Sequence, residues 1–199
     1  MLERIHKECN HFLSEWQAGF RPERGCRDNV LLLCVLFDQA LEQGEELVIA
    51  FIDYTAAFDS VSNKFLDQSL KRAGTSRKTR AIFRAIYAAA EGTARVRGLD
   101  GKHIYSEEFK VRRGVIQGDI ISPIFFILAL EQIFRICDNN QRGVQVGNYL
   151  QIGVLGYADG ETLVTGSSAT ATATATMTER LILYCIDFLK THKYKMFNY

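Results

Sequence analysis

The sequence is short of several things. Proline occurs 2 times in 199 residues and glycine 15 times without a repeating period, which excludes a collagen-like chain. Cysteine occurs five times, at Cys9, Cys26, Cys34, Cys137 and Cys185, an odd number with no C-x-x-C spacing. A disulfide scaffold, a disulfide partner and a zinc site are therefore not expected. The thiols read as reduced and mostly buried in an intracellular protein, with nucleus and cytoplasm left open. The longest apolar run, Ile124 to Leu130, falls far below the ~20 residues that span a bilayer. Met1 to Cys9 carries Glu3, Arg4, Lys7 and Glu8 in place of an apolar signal core, so neither a secretory leader nor a membrane contact is expected. Net charge is also nearly missing, at +1.

What is present is a core. Apolar residues make up 47% and charged residues 24%, which suits one globular domain and excludes whole-chain disorder. The charge is unevenly spread. Lys71 to Arg113 holds twelve of the 24 basic residues against four acids, Glu91, Asp100, Glu107 and Glu108. Such a block can track a phosphate backbone, and it can equally be the solvated face of two helices and a hairpin.

The apolar pattern predicts the order helix, strand, two helices, hairpin, helix, hairpin. Asp28 is an expected N-cap of a helix that stops near Gly44. Leu47 to Asp53 reads as a central strand. Ser62 and Ser76 are expected caps of helices ending near Gly74 and Gly92. Asp100-Gly101 between extended runs predicts a type I′ hairpin turn. Ser122-Pro123 reads as N-cap and N1 of a buried helix. Tyr149 to Ala158 and Thr162 to Val164 form the arms of a last hairpin with Asp159 and Gly160 in its turn. Ser167 to Thr176 is an Ala-Thr repeat read as a loop, and Leu181 to Tyr199 is compatible with a helix. The expected class is α+β: a small antiparallel sheet with helices packed on one face.

Two carboxylates stand out. Asp53 ends the expected central strand, and Asp159 follows the apolar arm Val154-Leu155-Gly156-Tyr157. Either alone reads as a turn cap. If their strands are neighbours they converge, which is unfavourable without a cation and useful with one, as in phosphoryl or nucleotidyl transfer. Between them, Gly114 to Pro123 is a glycine-containing loop that enters a helix N-terminus, an arrangement that favours phosphate.

Gln17-Ala18-Gly19-Phe20-Arg21-Pro22, Phe51-Ile52-Asp53-Tyr54-Thr55-Ala56-Ala57-Phe58-Asp59, Arg113-Gly114-Val115-Ile116-Gln117-Gly118-Asp119-Ile120-Ile121-Ser122-Pro123 and Leu155-Gly156-Tyr157-Ala158-Asp159 together resemble the reverse transcriptases of non-long-terminal-repeat retrotransposons, in order and in gaps, over residues 15 to 166. The resemblance implies a polymerase palm at residues 27–166, a remnant of the fingers at 1–26, and a low-complexity loop with a non-family tail at 167–199, the thumb being absent. It implies RNA-directed DNA synthesis, with an RNA template, a DNA primer and dNTPs as partners. Asp53 and Asp159 would be catalytic and would bind two Mg²⁺ ions, or Mn²⁺ in their place. One ion would activate the primer 3′-OH and the other would hold the triphosphate. Tyr54, Phe58, Gln117 and Gly118 would meet the nucleotide, with Phe58 excluding a ribose 2′-OH or simply packing in the core. Arg95, Arg97, Arg112 and Arg113 would contact nucleic acid. One departure touches the chemistry: the family's hairpin carries two adjacent aspartates, and here the second position is Gly160, which implies severe impairment.

Overall fold

The computed structural model describes residues 2–138, 143–147, 150–166 and 190–198, the last of these by backbone. The chain runs α1 (Leu2–Cys9), a 3-10 turn (Asn10–Phe12), α2 (Cys26–Gln43), β1 (Val48–Thr55), α3 (Ala57–Ser60), α4 (Asn63–Arg72) and α5 (Arg77–Ala89). It continues through β2 (Glu91–Gly92), β3 (Arg95–Arg97), β4 (His103–Tyr105), β5 (Phe109–Lys110) and α6 (Ser122–Asp138). It ends with β6 (Val144–Val146), β7 (Leu150–Ile152), β8 (Val154–Tyr157), β9 (Gly160–Thr165) and β10 (Lys190–Asn198). The central sheet is antiparallel throughout, in the order β10-β1-β9-β8. This is the expected α+β architecture.

Local chemistry accounts for most boundaries. The Ser62 and Ser76 hydroxyls accept the backbone N–H of Phe65 and Thr79, each at 3.2 Å, and start α4 and α5. Asp28 lies at the third helical position rather than at the cap: Gly25 is the N-cap, and its N–H donates to the Asp28 carboxylate at 2.8 Å. Gly44, at φ +64, ends α2. The Asp100-Gly101 turn is wider than a two-residue turn. Gly98 N–H donates to Lys102 O, Gly101 N–H donates to Gly98 O, and only Gly101 is left-handed (φ +78), so the loop is Leu99-Asp100-Gly101 with a bulge glycine.

Three further expectations are corrected. Tyr149 to Ala158 is not one arm: β7 pairs with β6 in a separate ribbon, and the chain breaks at Gly153 before β8. Residues 190–198 are not helical but form the edge strand β10 beside β1; the Ala-Thr repeat and Leu181 to Leu189 lie outside the described residues. Of the three thiols described, Cys9 is buried, while Cys26 and Cys34 on α2 are exposed against expectation; the side chains of Cys137 and Cys185 lie outside the described residues.

The sheet's two faces are used differently. Ala50, Ile52 and Tyr54 of β1, with Val154 and Leu163, point into the main core against α1, α4, α5 and α6. The middle of α6, Ile124 to Phe134, is buried on every side, as expected for a helix apolar all round. The alternate residues Ile49, Leu155 and Val164 meet Leu36 of α2 in a smaller cluster at one end of the opposite face. Beyond that cluster Phe51, Asp53 and Tyr157 are exposed.

The main core also takes two acids. Glu131 of α6 accepts from Ser14 N–H (2.9 Å) and Arg135 (3.0 Å), and burial pushes its carboxyl up to about 7. Glu161 of β9 accepts from the Tyr54 hydroxyl at 2.7 Å; burial, with some repulsion from Glu131, likewise pushes it up to about 7. Each has one carboxylate oxygen without a partner among the described residues. A folded pKa above the unfolded value means that the native state holds extra protons between about 4.5 and about 7. Stability is therefore full below about 4.5 and falls as pH rises through about 7. Thermal unfolding should show a melting temperature at pH 8 lower than at pH 5 by about 5–10 °C. Glu161→Gln, which keeps the acceptor for Tyr54, should reduce that dependence by about half, the rest being carried by Glu131. A parent chain as stable at pH 8 as at pH 5 would contradict the buried, protonated acids.

Candidate functional site

Asp53 sits on β1 at the open end of the sheet. Side chains alternate along a strand, so Asp53 shares the face of Ile49 and Phe51, and Tyr54 must point the other way. Across the ladder, Asp53 is the register partner of Gly160, the first residue of β9. Asp159 is the residue before it. A paired Cα separation of ~5.5 Å plus one chain step of ~3.8 Å brings the two aspartate Cα atoms within about 9 Å.

The turn is not Asp159-Gly160. Tyr157 pairs with Gly160, which leaves Ala158-Asp159 as a two-residue loop. Ala158 is left-handed (φ +58) and Asp159 is not, the sign pattern of a type II′ turn. Alanine in that region costs roughly 1–2 kcal/mol, so something must hold it there. The holder is the segment 16–19. Gln17 bridges Gly156 in parallel, Ala18 N–H donates to Gly156 O (2.8 Å) and Gly156 N–H donates to Trp16 O (3.0 Å). Asn29 adds a third bond, from its side-chain amide to Gly156 O at 2.9 Å. The contact is so close that a Cβ at Gly19 would lie 2.2 Å from Ala158 N, and one at Gly156 would lie 2.5 Å from the Phe134 ring. Arg21 anchors the segment from below, donating to Ser14 O (2.5 Å), Gln17 O (3.0 Å) and Asn10 Oδ1 (3.1 Å). Burial depresses its pKa.

A second group of residues lines a pocket of about 310 Å³: Phe58, Val115 to Asp119, Ser122 and Pro123. Phe58 stacks on Phe126 at 4.1 Å and meets Phe20 edge-on at 6.2 Å. The loop is fastened to the chain after Phe58, since Gly114 N–H donates to Val61 O and Val115 N–H donates to Phe58 O, both at 2.8 Å. Gly114 is left-handed (φ +81), and a Cβ there would lie 2.8 Å from Asp59 Cα. Asp59 accepts from the Gln117 side-chain amide at 2.9 Å and fixes its orientation.

Phe58, Gln117 and Gly118 thus come together in one pocket that opens at the N-terminus of α6. Tyr54 does not join them. Its side chain is 3% exposed and bonded to Glu161 on the core side of β1. Arg95 and Arg97 are exposed on β3, and Arg112 and Arg113 are exposed on the approach to the pocket loop. The basic block is partly neutralised: Asp67, outside its span, binds Arg80 (2.8 Å) and Arg84 (3.6 Å), and Glu91, within it, binds Lys110. Sequence reasoning missed Asp59, Asn29 and Glu161. Of these only Asp59, next to Phe58, carried a signal in its position.

The donor set suits a hard cation. Mg²⁺ is commonly held by one or two carboxylates plus substrate phosphate oxygens, and Asp53 with Asp159 supplies two. Among the described residues no group of three His, Cys, Asp or Glu side chains converges. The place for a third is visible: a Cβ at Gly160, directly opposite Asp53, meets only Tyr157 O, at 3.5 Å.

The sequence profile of the family described as "Reverse transcriptase (RNA-dependent DNA polymerase)" matches residues 1–198. The Pol polyprotein of the type-2 retrotransposable element R2DM of Drosophila melanogaster is 33% identical over 132 residues, covering 66% of this chain and 12% of that protein. The Pol polyprotein of the type-1 element R2 of Nasonia vitripennis is 29% identical over 143 residues, covering 72% and 13%. The chain thus spans about an eighth of these relatives. Among solved structures, the truncated apo telomerase of Candida tropicalis superposes with a TM-score of 0.65 at 14% identity, over 99% of this chain and 40% of that one. Telomerase of Candida albicans with a fragment of telomeric RNA gives 0.62 at 16% identity, over 98% and 34%. These last two likenesses concern the fold.

The buttress makes a sharp prediction. Gly19→Ala should destabilise the chain by about 1–3 kcal/mol, as overpacking against rigid backbone does. Gly25→Ala, with nothing within 4 Å, should cost much less. Chemical denaturation measures both; equal effects would mean that the segment does not press on the Ala158 turn.

Proposed function

Because the chain belongs to the reverse transcriptase (RNA-dependent DNA polymerase) family, we propose that it is the palm portion of an RNA-templated DNA polymerase whose metal site is one carboxylate short. The observation that carries this reading is the β1–β9 register. It sets an exposed Asp53 opposite Gly160 and one residue from Asp159.

Asp53 and Asp159 would hold Mg²⁺ or Mn²⁺. Bound there, the metal supplies charge neutralisation for a triphosphate and acidifies a primer 3′-OH. The chain's own residues do the positioning. Phe58, half-buried and braced by Phe126, presents a rigid ring edge where a 2′-OH would otherwise fit. Gln117, held by Asp59, offers an oriented amide, and Gly118 leaves its backbone open to a base or sugar. The α6 N-terminus favours phosphate at the pocket mouth. RNA template, DNA primer and dNTPs are the proposed partners, in an intracellular setting. No helix among the described residues is long and apolar enough to cross a membrane.

A second reading, a non-catalytic palm that still binds nucleic acid, draws on Gly160 and on Arg95, Arg97 and Arg112, which make no ion pair among the described residues. Primer extension on an RNA template with Mg²⁺ or Mn²⁺ separates the two. The parent should be weak, Gly160→Asp should raise the rate at least tenfold, and Asp53→Asn should abolish it in both backgrounds. A Gly160→Asp chain that stays inert while folded would favour the non-catalytic reading.

A further inference from the structure

The β3–β4 hairpin stands apart from the central sheet and shows two unlike faces. Arg95 pairs with Tyr105 and Arg97 with His103, and directly opposed residues project to the same side of a ladder. Between them, Val96 pairs with Ile104 and both project to the other side. All six are exposed, Tyr105 to 60%, Val96 to 60% and Ile104 to 57%.

We propose that the Arg95–Tyr105 and Arg97–His103 face is a stacking platform for a single-stranded stretch of RNA. The two guanidiniums make no ion pair among the described residues, and Asp100 of the loop accepts from Lys102 N–H at 3.0 Å. Lys102 adds a third cation at the hairpin's tip. The His103 and Tyr105 rings lie 6.4 Å apart at 60°, so neither is stacked on the other, and both residues are exposed. Cations beside open aromatic faces on a two-stranded ribbon suit a strand whose bases are unpaired, with arginine on phosphate and tyrosine under a base. A duplex offers its phosphates but keeps its bases stacked inside. The Val96–Ile104 face carries no charge and takes no part.

The inference rests on the RNA-templated reading for the identity of the partner, and its test needs neither nucleotide nor metal. Fluorescence anisotropy in EDTA, with the full chain and a labelled oligouridine RNA, reads it directly. Tyr105→Leu should weaken binding at least fivefold and leave the slope of log K against log [salt] unchanged. Arg95→Gln with Arg97→Gln should flatten that slope by about 1.4, roughly 0.7 for each phosphate released on a single strand. Val96→Thr with Ile104→Thr should bind within twofold of the parent and serves as the control for an intact hairpin. The proposal is overturned if the parent does not bind, if Tyr105→Leu binds within twofold of it, if the Val96/Ile104 pair weakens binding as much, or if Tyr105→Leu costs a blunt RNA duplex as much as the single strand. A chain inert in primer extension that still loses oligouridine with Tyr105→Leu sinks the polymerase reading alone; unchanged binding beside restored extension sinks the platform alone.

Discussion

The register between β1 and β9 is the constraint from which the rest follows. Pairing Asp53 with Gly160 decides which side chains face the core, where the turn falls and which carboxylates come near one another. A slip of one residue would carry Asp53 into the core and Ile52 into water. The register is held from both sides. Ile52, Tyr54 and Leu163 are buried on one face, while the far edge of β8 is gripped by Trp16 to Gly19. That grip works because Gly19 and Gly156 have no side chains, so backbone can press on backbone. The left-handed Ala158 is kept in place by this pressure rather than by its own preference.

One sheet therefore carries carboxylates of opposite character a residue apart. Glu161, enclosed and bonded to Tyr54, has its carboxyl pushed up to about 7 because burial penalises its charge. Asp53, its diagonal neighbour on the other face, is exposed to solvent. Among the described residues, α2 covers the end of the outer face at Ile49, Leu155 and Val164, away from Asp53.

Much of this was legible in the sequence. The serine caps at Ser62 and Ser76, the strand at 48–55 and the buried α6 follow from local rules, and the spacing of four motifs pointed to the family. That the Tyr54 side chain turns away from Asp53 was legible too, since period-two alternation puts neighbours on opposite faces of a strand. The turn shifted by one because Ala158 takes a conformation that local preference assigns to glycine, and only the tertiary contact with Gly19 explains it. The edge strand β10 was illegible for a similar reason: its Lys-rich sequence alternates weakly, and pairing with β1 supplies the order. Asp59's hold on Gln117 depends on a contact across 58 residues, which no local pattern encodes.

The central claim is that Asp53 and the Ala158-Asp159 turn form one cation site. The most direct measurement is a Mn²⁺ titration of the isotopically labelled chain followed by NMR, in which the paramagnetic ion broadens the amides nearest to it. The account predicts that Asp53, Asp159 and Gly160 broaden together and before any other cluster, and that Asp53→Asn removes the effect. Broadening that starts elsewhere, or that survives loss of the Asp53 carboxylate, would contradict it.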